Sequence, residues 1–261
     1  MKKANNVIYH LDMANSPKDI KKRIKEVWGQ YMAYHIFNVP DCDYIQVYEE
    51  LAESLGEIRL CHPVNDKSTK FSKSRDIKYN PDIYHYFASN ARQPLHTDYA
   101  YYRSDESPDW LILFCIKPSE YGGNTNILST KKMVAILAKY NPELLEKIKI
   151  DVTWKYYGED GDKLHKKSIY NGEHINWNYW QIKEEHNSEE VMNIREEFFR
   201  FLEDVIVGGS MYDFSKTWKS KDCIIFNDKL TLHGRDAFLG DRWLKDHAFF
   251  EKIKEVKNNE Y

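Results

Sequence analysis

Gln93-Pro94-Leu95-His96-Thr97-Asp98 ends on a histidine and a carboxylate two positions apart. On a strand, residues i and i+2 point to one face. His96 and Asp98 are therefore expected to reach one ion from one strand. Far downstream, Thr231-Leu232-His233-Gly234-Arg235 offers a second imidazole behind a short apolar strand, Ile224-Ile225-Phe226. Two imidazoles and one carboxylate can hold a ferrous ion by three corners and leave three open. Zinc accepts the same ligands. Taken alone, an HxD triplet is a common accident and His233 reads as an ordinary histidine. The order of the pieces gives the metal reading its weight: HxD, then Gly122-Gly123-Asn124-Thr125, an apolar strand, His-Gly-Arg, and Arg242-Trp243-Leu244 opening a last strand. An arginine near such a centre can hold the far carboxylate of a bound dicarboxylate, which favours iron over zinc. A site joining two distant strands suits a barrel that encloses a ligand.

The rest of the chain sets the frame. Its 261 residues are expected to form one domain over 1–261, enough for a substantial core. With 42% hydrophobic and 30% charged residues, the composition is that of a soluble globular protein. A net charge of -3 without a basic stripe argues against nucleic acid as a partner. No apolar run approaches the roughly 18 residues of a membrane span, and no apolar stretch follows Met1-Lys2-Lys3. Cys42, Cys61, Cys115 and Cys223 show no CxxC spacing, so reduced thiols and a cytoplasmic location are expected. Nothing in the sequence speaks to oligomeric state.

Helices are expected from Ser16-Pro17 to Gly29, over 43–55, over 130–140 and 142–148, and from Ser188 to Ile206 with Gly208-Gly209 beyond. Strands are expected over 31–39, 110–116, 125–128, 150–157, 223–226 and 244–253. Residues 62–90 read as long loops and short elements around the mouth of a site, and 158–167 as a charged loop. Together these elements predict an α+β fold with a central β-structure and a helical insertion.

The chain resembles the taurine dioxygenase and clavaminate synthase superfamily of iron- and 2-oxoglutarate-dependent oxygenases. The resemblance rests on Gln93 to Asp98, on Pro108-Asp109-Trp110 through Cys115, on Tyr121-Gly122-Gly123-Asn124-Thr125, and on Phe226-Asn227 through Arg242-Trp243-Leu244. It covers roughly 90–130 and 220–252, and the middle of the chain matches little. It implies a double-stranded β-helix, or jelly roll, flanked by helices. It implies that His96, Asp98 and His233 bind Fe(II), and that Arg242 and Thr125 hold 2-oxoglutarate, with O2 as oxidant. The stretch between His233 and Arg242 is short for the family, which keeps Arg235 open as the cosubstrate anchor. Its other reading is a structural brace.

The same resemblance implies hydroxylation of a small polar metabolite, a free amino acid among the candidates. Related halogenases lack the carboxylate that Asp98 supplies. Desaturation, cyclisation and oxidative cleavage use the same ligands. A catalytically silent barrel that only binds, and a zinc hydrolase, are the readings from other classes. The latter needs a general base that no spacing argument supplies. Candidate substrate contacts are Arg75, Asn90, Tyr99 and Tyr101, with Trp177, Asn178 and Trp180 as covering residues.

Overall fold

The computed structural model describes residues 6–14, 19–60, 72–82, 88–158 and 161–252. The chain opens with β1 (Asn6–Asp12), α1 (Ile20–Val27), β2 (Tyr31–Phe37), α2 (Tyr44–Leu55), β3 (Gly56–Ile58) and β4 (Arg75–Lys78). It continues with β5 (Gln93–His96), β6 (Trp110–Lys117), β7 (Tyr121–Gly122), β8 (Thr125–Ser129), α3 (Thr130–Tyr140) and α4 (Pro142–Lys147). β9 (Asp151–Gly158), β10 (Gly161–Ser168) and α5 (Glu189–Arg200) follow, and α5 runs on as a π-helical stretch, Phe201–Val207. β11 (Phe214–Lys216), β12 (Cys223–Asn227), β13 (Thr231–Arg235), β14 (Phe238–Leu239) and β15 (Trp243–Glu251) complete the described strands.

Two sheets matter for the site. The larger runs β1-β2-β12-β6-β15-β3, with β4 also paired to β15; the smaller runs β11-β8-β13-β5. The run Trp-Leu-Ile-Leu-Phe-Cys of β6 is apolar at every position because both faces are covered. Trp110, Ile112 and Phe114 pack with Ile24 of α1 and Tyr48 and Leu51 of α2. Leu111, Leu113 and Cys115 turn the other way, against Ile127 of the small sheet. The small sheet's Leu95, Leu128 and Leu232 face a third cluster with Met133, Leu137, Trp177, Phe198 and Leu202. Helices therefore cover the outer face of each sheet, and the inner faces meet.

Capping explains the helix boundaries. Asp43, Ser129, Asn141 and Ser188 each accept a backbone N–H at a helix start. Asp19 caps α1; the expected cap at Ser16-Pro17 lies outside the described residues. One expectation needs correction, and two strands were not expected. The charged stretch read as a loop over 158–167 is mostly strand: β10 pairs antiparallel with β9 along its whole length. β1, unforeseen, pairs parallel with β2. His233 lies on β13, a strand that was not among those expected.

Candidate active site

His96 and His233 face each other directly across the β5–β13 pair. Between His233 and Arg235 the register slips, because three positions of β5 match two of β13. Such a bulge re-aims side chains beside a site. Gly234 fits there because a Cβ would stand 3.0 Å from the Gln93 carbonyl oxygen. Asp98 departs from expectation. β5 ends at His96, and Asp98 lies in the turn beyond it. Its place is set by the buried Asp228, whose carboxylate accepts the Asp98 and Tyr99 backbone N–H groups, each at 3.2 Å.

The potential ligand atoms of His96, Asp98 and His233 lie within 4.8 Å of one another. Asp98 Oδ1 is 3.2 Å from His96 Nε2 and 3.6 Å from His233 Nε2. His96 Nδ1 donates to the Pro94 carbonyl at 2.9 Å, which turns Nε2 toward Asp98 and His233 as the nitrogen a metal would take. The Gln93 side-chain amide nitrogen stands 3.1 Å from the same Nε2. His233 Nδ1 stands 3.5 Å from Asp228 Oδ1, an ion-pair distance rather than a good hydrogen bond. Burial works against charge on His233, but Asp228 and Asp98 outweigh it and raise the imidazole to about 9. Burial likewise works against the Asp98 carboxylate, yet His233, His96 and Arg75 hold it well below the usual range.

The cavity above these residues measures about 340 Å³ and takes its walls from both sheets, Leu113 and Leu244 from one and His96, Thr125 and His233 from the other. That volume suits a small molecule. Arg242 and Arg235 both line it, with very different surroundings. Arg235 Nη2 donates to the carbonyls of Ser89 and Ala91 at 2.6 and 2.7 Å, bracing that segment. Arg242 is 5% exposed, its Nε has no hydrogen-bond partner, and no described carboxylate lies within ion-pair distance. Burial, reinforced by Arg235, pushes it down to about 9, a measure of how poorly its charge is compensated. Gly123, at φ +74°, lets the turn pass over it, with a Cβ position 3.6 Å from Arg242 Cδ. Thr125 Oγ1 accepts the Trp218 indole N–H at 2.6 Å, which leaves its own proton to donate.

Of the four candidate substrate contacts, Arg75 and Tyr101 line the cavity. Arg75 is held by Asp98 and Asp246. Tyr99 is buried against the inner core, and Asn90 does not line the cavity, its carbonyl accepting the Phe238 N–H. Asn178, Tyr179, Trp180 and Gln181 form part of the wall, whereas Trp177 is packed into the core. Sequence reasoning missed Asp228, Asp246, Gln93 and Trp218. Only the Asn227-Asp228 pair at a strand end carried a signal, and that signal was for a turn.

The family model described as taurine catabolism dioxygenase TauD, TfdA family matches residues 3–246. No curated protein matches the chain. Among solved structures, asparagine oxygenase in complex with Fe(II), 2S,3S-3-hydroxyasparagine and succinate is similar with a TM-score of 0.65 at 12% identity, over 88% of this chain and 77% of that one. The non-heme iron oxygenase OrfP in complex with (3S)-hydroxy-L-Arg aligns with a TM-score of 0.62 at 13% identity, over 91% and 81%. PvcB from Pseudomonas aeruginosa aligns with a TM-score of 0.61 at 16% identity, over 94% and 85%. At these identities the likeness is one of fold.

Proposed function

The chain belongs to the TauD, TfdA family, and from that premise we propose that it is an Fe(II)- and 2-oxoglutarate-dependent dioxygenase that hydroxylates a small polar metabolite. We read the two facing sheets as the halves of a double-stranded β-helix, with residues 1–261 acting as one oxygenase domain. The observation that carries the reading is the pairing, in one cavity, of a His-Asp-His cluster with a buried arginine that has no counter-charge among the described residues. A silent barrel has no reason to retain that cost, since an uncompensated buried charge is destabilising.

His96 Nε2, Asp98 Oδ1 and His233 Nε2 are the atoms that would hold the iron. The donor set fits a ferrous ion with open positions. When bound with the keto acid and O2, the iron supplies an oxidant able to attack an unactivated C–H bond, with succinate and CO2 released. Arg242 would neutralise the distal carboxylate of 2-oxoglutarate, and Thr125 would donate its hydroxyl to the same group. Arg235 keeps the bracing role. Burial pushes the Tyr101 phenol up, so it stays protonated and can donate toward a substrate. Asn178, Trp180 and Gln181 face the cavity and can orient a polar substrate over the metal. Two structural relatives hold hydroxylated amino acids, which supports a free amino acid as the substrate.

The test has two stages. Anaerobic Fe(II) plus 2-oxoglutarate should develop a weak visible charge-transfer band. A panel of amino acids and other polar metabolites should then include one that stimulates succinate release and gains one oxygen by mass. A product lighter by two hydrogens would replace hydroxylation by desaturation, and activity without the keto acid would sink the assignment.

A further inference from the structure

Asp98 presents its two carboxylate oxygens to different partners. Oδ1 faces His96 and His233. Oδ2 accepts a hydrogen bond from Arg75 Nη2 at 3.2 Å. Arg75 is itself immobilised across the β4–β15 pair, where its register partner is Asp246. The Arg75 backbone N–H donates to Asp246 Oδ1 at 3.1 Å, Nε reaches Oδ2 at 2.9 Å, and Nη2 closes a second, short contact to Oδ2. Asp246 is only 1% exposed. Its carboxylate therefore depends on Arg75, and the fork of the guanidinium can aim in only one direction.

Resting on the reading of the cluster as an iron site, we infer that Arg75 is a positioning residue that makes Asp98 a one-oxygen ligand. Asp98 sits in a turn, so no sheet sets the rotation of its carboxylate. With Oδ2 engaged by Arg75, only Oδ1 is offered to the metal. A carboxylate that gave both oxygens would occupy a fourth corner. A one-oxygen ligand leaves three, which is what a two-point keto acid and one O2 require. Asp246 acts through Arg75 by locking its orientation. Gln93, whose amide nitrogen lies 3.1 Å from His96 Nε2, would have to yield to the metal, whereas Arg75 would stay in place.

The experiment is an anaerobic titration of the full chain with Fe(II) in the presence of saturating 2-oxoglutarate, read by the visible band. The double variant Arg75→Met/Asp246→Asn removes the ion pair without leaving Asp246 charged and unpaired. With far-UV circular dichroism unchanged, its Fe(II) dissociation constant should rise about tenfold. At saturating iron the band should also shift, because Asp98 is then free to give both oxygens. A folded double variant with the wild-type constant and band overturns the proposal. If that variant fails to fold, Arg75→Lys carries the test in a chain that keeps its charge balance. Weaker iron binding with an altered band supports the proposal, and wild-type values for both overturn it. A wild type that shows no band overturns the iron reading and this inference with it. A normal wild type beside an unchanged variant sinks the role of Arg75 alone.

Discussion

The two ends of the cavity are both buried and electrostatically opposite. At one end every charge has an answer: Asp98 meets Arg75 and two imidazoles, Arg75 meets Asp246, and His233 lies near Asp228. At the other end Arg242 and Arg235 stand together, Arg235 spending hydrogen bonds on backbone carbonyls and Arg242 finding no described acid. The balanced end is preorganised, as a ligand set must be before a metal arrives. The unbalanced end bears the cost of a charge whose partner is expected to come from outside. On the proposed function, the difference separates the part of the site that is finished from the part that a ligand would complete.

The comparison can be broken at either end. The largest effect is expected at the balanced end. Asp98→Ala should abolish succinate release coupled to product, measured together by chromatography and mass. An unaffected coupled rate would end the assignment. Next comes Arg242→Met. It should weaken 2-oxoglutarate binding by about 2–5 kcal/mol, the loss typical when one partner of a buried charge pair is truncated. It should also raise the thermal midpoint of the ligand-free protein, because it deletes an uncompensated buried charge. A fall in that midpoint would mean Arg242 is balanced after all. Thr125→Val should raise the 2-oxoglutarate dissociation constant about tenfold, the value of one hydrogen bond to a charged group. Arg235→Met should do least to cosubstrate affinity. It should instead cost about 1–3 kcal/mol of stability in urea unfolding, through the stranded carbonyls of Ser89 and Ala91. If Arg235→Met weakens the keto acid more than Arg242→Met does, the two arginines exchange roles.

Local patterns made much of this legible. The cap residues Asp43 and Ser188 and the apolar run of β6 announce their elements, because capping and two-sided burial leave marks within a few residues. The expected helix over 130–140 has the observed bounds. β10 escaped notice because its lysine-rich stretch, Gly161 to Ser168, lacks the apolar alternation of a half-buried strand and is ordered mainly by backbone pairing with β9. β13 escaped because Thr-Leu-His-Gly-Arg mixes polar groups that face a cavity with a leucine that faces the core. Functional strands break the hydrophobic pattern by which strands are recognised.

No helix among the described residues is long and apolar enough to cross a membrane. His96, Asp98, His233 and Arg242 could be singled out as candidates from residue type and order, because donor chemistry belongs to the side chain itself, whereas Thr125 entered as a candidate only through the family resemblance. Tertiary structure alone decided that His233 stands opposite His96 and that Asp98 lies beyond the strand. It alone decided that Arg75 answers Asp98 and Asp246, while Arg242 is left without a described acid. Those facts depend on which strands pair and in what register. Pairing is a long-range contest among many segments for the same backbone bonds and buried faces, and no short stretch of sequence encodes its outcome.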